Sequence, residues 1–362
     1  MLFILFIGEW CKLQDLKEIT AADSQKAAGK NFTRIFWKKI LIFLAFEFVF
    51  SAITMPLLIF YGPFGNVKQM IVGMSWNSYR HQYISKFFLS DEAIQKIVGK
   101  SYAVDPTDDG AKINLINITV HHTDKIDVFN IDGGDFNGKL MVIYDPTRIA
   151  LGYTAQLLKA GETASSIAKR YGAVAAINAG GFLDVGWAGT GGVPDGFIIN
   201  NGKVVYNDIG DDDLKQDTAA FTEKGQLIVG KHSINQLLKE YKVKDAIKFG
   251  PPLIVNGKPT ITEGNGGWGI APRTAIAQKE TGEIMLIVID GRDPLHGIIG
   301  ATLRDVQDIL LKNGAVNAVN LDGGSSTTMY YNGKVINKPS DGMGERSLST
   351  VFMVLPMKEG IK

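Results

Sequence analysis

Four apolar runs in this chain stop at a polar residue followed by glycine: Asn178-Ala179-Gly180-Gly181, Asp290-Gly291-Arg292, Asp322-Gly323-Gly324-Ser325-Ser326, and the looser Gly250-Pro251-Pro252 before a run. Buried strands that deliver Asn and Asp to glycine turns predict a convergent polar site. One such ending alone is an ordinary turn. Two further segments add charge. Residues 264–269 (GNGGWG) lead into Ala271-Pro272-Arg273-Thr274, which offers backbone N–H groups beside an arginine, and the loop 337–346 carries Asp341, Glu345 and Arg346. The collection therefore holds four carboxylates, Asp290, Asp322, Asp341 and Glu345, that could move protons or stabilise positive charge. It also holds three guanidinium groups, Arg273, Arg292 and Arg346, whose planar forks suit phosphate oxygens.

These residues need strands to position them. From about Lys100 the pattern is short β-rich runs between Gly, Asn and Asp turns. Strands are expected at 113–120, 140–145, 173–178, 196–206, 226–230, 252–258, 283–290 and 316–322, with a hairpin turn at Asn200-Asn201-Gly202 and another strand end at Asn256-Gly257. Helices are expected at 163–171, capped by Thr163 and stopped by Gly172, and at 302–313, where Thr302 and Asp305 form a capping pair. The nearly continuous apolar runs 284–289 and 316–321 flank that second helix, which predicts buried central strands joined by a helical crossover. The expected fold is α/β in the broad sense, mixed α+β, with a mixed central β-sheet, flanking helices and ligand-binding turns at the C-terminal ends of the central strands.

Bulk properties bound the function. The 362 residues suit one large domain with an appendage, and 45% apolar with 21% charged residues is enough for a real core. With 38 basic and 37 acidic residues there is no electrostatic footprint for nucleic acid. The single cysteine, Cys11, excludes an intrachain disulfide and a cysteine metal cluster.

The N-terminal third reads differently. Residues 40–60 hold one charge, Glu47, and one proline, Pro56, and about 20 apolar residues span a bilayer as helix. Lys26, Lys30, Arg34, Lys38 and Lys39 precede the run and Lys68 is the first basic residue after it, so the positive-inside rule puts the N-terminus in the cytoplasm and the body outside. A cleaved signal peptide is the alternative. The length, late start and absence of a small-residue cleavage site favour an uncleaved anchor. The expected organisation is a cytoplasmic segment 1–39, a transmembrane helix 40–60, a linker 61–100 with an amphipathic helix at 91–98, and a body from 101 to 362.

The motifs in the body, taken together, resemble a known family. NLDGGSSTTM (320–329) and NKPSDGMGER (337–346), with APRTAI (271–276), VIDGR (288–292) and AINAGGF (176–182) upstream in that order, look like the phosphodiester glycosidase domain, over about residues 110–357. The family commonly reads DGGGSST; Ser325 takes the third glycine's place here.

The resemblance implies hydrolysis of a sugar linked through its anomeric carbon to a phosphate, in an envelope glycan or exopolysaccharide. Glycoside cleavage passes through an oxocarbenium-like state that carboxylates stabilise or exploit by activating water, and Asp290, Asp322, Asp341 and Glu345 are the catalytic candidates. A phosphate leaving group needs charge neutralisation more than a strong acid. Asn178, Gly180, Arg273, Thr274, Arg292, Gly323, Gly324, Ser325, Ser326 and Arg346 are the candidates for binding substrate and phosphate. Each has a structural rival: Arg292 could pair with Asp290 or Asp293, Arg346 with Glu345 or Asp341, and Asn178 could cap its own turn. His296 reads as an exposed loop residue, His121 and His122 lack a metal-binding spacing, and Asp211 to Asp213 read as a solvated loop. Several aspartates and Asn320 could collect a divalent cation through oxygen, but their spacing matches no metal loop, so no cofactor is expected. The expected partners are a glycan or sugar-phosphate substrate and a membrane. The alternatives from other classes are a non-catalytic phosphoglycan-binding or surface assembly protein and a glycosyl transferase using the same site.

Overall fold

The computed structural model describes residues 36–76, 81–98, 103–107, 113, 115–118, 122–183, 190–293, 296–340, 342 and 344–357. They fall into two compact units, Met1–Gly65 and Asn66–Lys362.

In the first unit the apolar run folds as one helix, Phe36–Tyr61, of 26 residues with mean hydropathy 2.2. At about 1.5 Å per residue it exceeds the roughly 30 Å of a bilayer's hydrocarbon layer. Leu41, Ile42, Phe43, Phe46, Phe48 and Val49 are exposed around it.

The expected linker holds three helices, Gly65–Trp76, Gln82–Phe88 and Asp91–Val98. The last is the expected amphipathic helix, and its Ile94 and Val98 are wholly buried. Three antiparallel sheets of five or more strands follow, beside the small antiparallel pair Phe182–Leu183 and Val193–Pro194. The largest runs, in spatial order, through Ile126–Asp132, Asn137–Ile143, Ile284–Ile289, Thr274–Lys279, Ala315–Leu321, Pro252–Val255 and Lys258–Pro259. A second places Lys334–Val335, Met329–Tyr331, Ala175–Asn178, Thr350–Val354 and Ile149–Tyr153 side by side. The third is formed by Leu227–His232, Gln216–Thr222, Val243–Lys248, Phe197–Asn200 and Lys203–Asn207. The expected crossover exists: helix Leu303–Lys312 joins Ile284–Ile289 to Ala315–Leu321. Those two strands run the same way with Thr274–Lys279 antiparallel between them, so the crossover skips one position.

Period-2 alternation explains why the central strands read as unbroken apolar runs. Leu286, Val288, Val319 and Leu321 face a core shared by all three sheets. Their neighbours Met285, Ile287, Ile289 and Ala318 face a second core under helix Leu303–Lys312. Thr302 caps that helix with the full reciprocal box to Asp305. On the second sheet, Ala176, Val351 and Met353 pack against Ile167 of helix Ala164–Arg170, which Thr163 caps as expected. Asn201 (φ 49°) and Gly202 (φ 70°) make the left-handed pair of a tight hairpin, as do Asn256 and Gly257.

The strand expected at 113–120 is absent among its described residues, 113 and 115–118. The Ile116 carbonyl accepts from the Gln226 side-chain amide instead of a ladder partner. Conversely, Gln216–Thr222 and Val243–Lys248 are strands although polar residues interrupt them. Asp245, 1% exposed, explains the second case: its carboxylate accepts from the backbone N–H groups of Leu151 and Asn201 and from Asn200 Nδ2, knitting two sheets together.

Ile167→Ala removes the bulky side chain that joins its helix to the second sheet. It is expected to cost about 2–4 kcal/mol in urea unfolding with the slope unchanged.

Candidate functional site

Register brings the predicted residues to one rim. Thr274 lies opposite both Val288 and Leu321, so the start of its strand sits beside the ends of the two strands that lead into Asp290 and Asp322. Asn178 ends a strand of the second sheet, and its side chain joins the two. Its Nδ2 donates to the Asp322 carbonyl (2.5 Å), and its Oδ1 accepts from Thr274 Oγ1 (2.8 Å) and the Thr328 N–H (3.1 Å). The Asp322 N–H donates to the Ala179 carbonyl at 2.9 Å, and the Gly180 N–H donates to Thr350 Oγ1 at 2.9 Å.

The turn after Asp322 is shaped by close approach. A Cβ on Gly323 would lie 2.7 Å from the Pro272 carbonyl oxygen, and the Gly324 N–H donates to that same oxygen at 2.9 Å. Gly324 has φ 61°, the left-handed region that favours glycine. Residues Gly324–Ser326 then form a single 3-10 turn that folds Ser326 back toward Asp322. Burial pushes the Asp322 carboxyl up to about 6, while the Ser326 hydroxyl, the Arg346 charge and the Gly323 N–H hold back a larger rise. Arg346 donates to Ser325 Oγ at 2.8 Å and lies 4.8 Å over the ring of Phe182.

Asp290 and Glu345 occupy different positions. Asp290 accepts from the Lys338 N–H at 3.0 Å, and the Gly291 N–H donates to the Lys338 carbonyl at 2.6 Å, so this strand end anchors the loop 337–346. Ser340 Oγ donates to the Gly324 carbonyl (3.2 Å), which ties that loop to the Asp322 turn. Glu345 faces the N-terminus of helix Ala164–Arg170, where its oxygens accept from the N–H (2.9 Å) and hydroxyl (2.5 Å) of Ser165. Asp341 lies outside the described residues.

Two arginines gather the end of the glycine loop. Arg273, 4% exposed, donates to the carbonyls of Trp268, Gly269 and Ala301, and Arg292 donates to that of Ile270. Arg292 Nε is buried with no partner among the described residues. Burial, then the like charge of Arg292, pushes Arg273 down to about 9, and burial lowers Arg292. Among the described residues neither these two nor Arg346 has a carboxylate within ion-pairing distance. Asp293, which could have paired with Arg292, instead takes Lys338 and His296.

Asn178, Thr274, Asp322, Gly323, Gly324, Ser325, Ser326 and Arg346 thus form one connected cluster, with Gly180 behind it. Asp290 joins it through the loop 337–346, and Arg273 and Arg292 flank it through Pro272 and the glycine loop. The sequence reading did not single out Phe182, Thr328, Thr350 or Ser165. Phe182 and Thr328 lie inside the quoted motifs, whereas nothing local links Ser165 to Glu345. His296 has a side chain 79% exposed, His122 bonds to Asp145, and Asp211 to Asp213 are exposed. Among the described residues no three His, Cys, Asp or Glu side chains gather as a metal centre would need.

The phosphodiester glycosidase family pattern matches residues 171–355. The SPbeta prophage-derived uncharacterized protein YomE of Bacillus subtilis is 32% identical over 222 residues, 59% of this chain and 32% of that one. The N-acetylglucosamine-1-phosphodiester alpha-N-acetylglucosaminidase of Bos taurus is 40% identical over 91 residues, 24% of this chain and 17% of that one. The chain thus spans about a third of YomE and a sixth of the bovine enzyme. The solved zebrafish catalytic domain of the same name, auto-inhibited by its pro-peptide, shares the fold: TM-score 0.57, 23% identity, 70% of this chain and 91% of that domain.

The raised Asp322 carboxyl has a cost in stability. Because its folded value exceeds the unfolded one, stability is fully present below about pH 4 and is lost as pH rises through about 6. Asp322→Asn is therefore expected to unfold with the same free energy as the parent at pH 4. At pH 7.5 it is expected to be more stable by about 1–2 kcal/mol, a figure reduced for solvent access. Denaturant titrations at the two pH values check this.

Proposed function

The chain belongs to the phosphodiester glycosidase family, and from that premise we propose that it hydrolyses a sugar 1-phosphodiester, with Asp322 as general base and Arg346 as phosphate ligand. The observation that carries this reading is the half-buried Asp322 carboxyl, raised to about 6 beside a guanidinium with no carboxylate partner among the described residues. A base of that strength is ionised at neutral pH yet basic enough to take a proton from water. Water attacks the anomeric carbon, the carbon–oxygen bond breaks toward phosphate, and the oxygen leaves with its electron pair as a phosphate monoester. The water proton passes to Asp322 and then to solvent. The departing monoester is a weak base, so charge neutralisation by Arg346, with the Ser325 and Ser326 hydroxyls, replaces a strong acid.

In this mechanism Asn178 and Thr274 hold the Asp322 turn, Asp290 and Glu345 are positioning residues for the loop 337–346, and Arg273 and Arg292 shape the glycine loop and add positive potential toward the phosphate. Hydrolysis of a glycosyl phosphodiester is expected to rise with pH on a limb with apparent pKa of about 6. Asp322→Asn is expected to lower kcat at least about 100-fold, and Arg346→Ala to lower kcat/KM by about 10². Full activity in both variants rejects the assignment. Binding of glycosyl phosphates without turnover in the parent protein favours a binding module, and products formed only with an added glycan acceptor favour a transferase.

We also propose that the helix Phe36–Tyr61 anchors the chain in a membrane with the body, residues 101–362, on the extracytoplasmic side, where an envelope glycan or exopolysaccharide supplies the substrate. The basic residues before the helix support that orientation. Cys11, the single cysteine, is a built-in reporter. A membrane-impermeant maleimide is expected to label it only after permeabilisation; labelling in intact cells reverses the topology, and a mature chain without Cys11 indicates cleavage.

A further inference from the structure

Beside the Asp322 turn lies a strip of aromatic surface that the proposed chemistry leaves unused. It starts at Phe182, under the Arg346 guanidinium, and passes Gly181 to Phe249, whose ring stands 6.5 Å from that of Trp268 at 56°. All three rings are partly buried, and the backbones that carry two of them are pinned. The Phe249 N–H donates to the Asp217 carbonyl at 3.0 Å, and the Trp268 carbonyl accepts from Arg273 at 2.9 Å. A Cβ on Gly181 would approach the edge of the Phe249 ring to 3.1 Å, so glycine there keeps that edge clear of a side chain. The rim is polar: the Asp195 N–H donates to the Gly181 carbonyl (3.0 Å), and its partly exposed carboxylate pairs with Lys248 at 2.8 Å.

We infer that Phe249 and Trp268 form a stacking subsite for the sugar ring of a pyranose 1-phosphate, with Asp195 accepting from a ring hydroxyl. The inference rests on the sugar-phosphodiester reading and adds which part of the ligand is held where. A pyranose presents a flat face of C–H groups with hydroxyls around its edge, which matches two rings and a rim carboxylate. Phosphate at Arg346 and Ser325 sets one end of the ligand. The anomeric carbon then falls at Asp322, and the ring extends past Gly181 to the aromatic pair.

The test compares two ligands that share the phosphate and differ in the ring. Calorimetry on the full chain in detergent micelles measures Kd for N-acetylglucosamine 1-phosphate and glucose 1-phosphate against methyl phosphate. The parent protein is expected to bind at least one pyranose phosphate about tenfold more tightly than methyl phosphate, about the worth of one or two aromatic contacts. Phe249→Leu and Trp268→Leu, which keep apolar volume, are expected to reduce that ratio to about two while methyl phosphate affinity stays unchanged. Asp195→Asn, at the exposed rim, is expected to reduce it about threefold, and it keeps the proposal testable if a ring variant fails to fold. No ring preference in the parent, or an unchanged ratio in the variants that fold, overturns the subsite. A ring preference in a protein that turns over no phosphodiester upholds the subsite and rejects hydrolysis; turnover with an unchanged ratio does the reverse.

Discussion

The site depends on one buried amide. Asn178 is 1% exposed and contacts an element of each part of the rim: the Asp322 carbonyl, the Thr274 hydroxyl and the Thr328 N–H. Each of those groups, left unpaired in a dry environment, would cost about 1–3 kcal/mol. A single side chain with a donor end and an acceptor end satisfies all three, provided the two sheets meet in one register. The sheet junction and the orientation of the Asp322 turn are therefore fixed by the same bonds, so the carboxylate cannot drift without breaking the junction between sheets.

Charge is arranged around that junction with unequal solvation. Glu345 and Asp290 accept from neighbouring N–H groups, and Asp293 has Lys338 and His296, which hold its carboxyl below the usual carboxylate range. Asp322 has the Ser326 hydroxyl, the Gly323 N–H and the Arg346 charge beside it, yet burial outweighs them and raises its pKa. Arg273 and Arg292 lean on carbonyl dipoles of the glycine loop, and among the described residues neither has a carboxylate within ion-pairing distance, which leaves their positive charge uncancelled there. Desolvated cations held by neutral dipoles favour an anion more than the same cations in ion pairs would. Glycine suits the loop because it lets several carbonyls turn toward one guanidinium.

Much of this was legible in the sequence, for local reasons. Apolar runs ending in Asn or Asp before glycine marked the strand ends, and the helix caps at Thr163 and Thr302 and the Asn-Gly hairpins follow from short-range rules that tertiary contacts did not override. The described residues of 113–120 form no strand, because alternation alone cannot distinguish a ladder strand from a segment whose carbonyl is taken by a side chain, here Gln226. Val243–Lys248 was hidden because the buried Asp245 resembles a loop residue until its N–H partners on two sheets are seen. The roles of Glu345 and Arg346 were unreadable for the same reason: adjacent in sequence, they point to different partners, Ser165 and Ser325, which only the fold identifies.

The bonds that close the site span long stretches of chain: 96 residues between Asn178 and Thr274, 144 between Asn178 and Asp322, and 180 between Ser165 and Glu345. Such closures are slow to form and bring no reward until both ends exist. The first of these can close only once Thr274 has left the ribosome, and the last only once Glu345 has. Until then the growing chain carries apolar strand edges and an unassembled rim, which exposes it to aggregation.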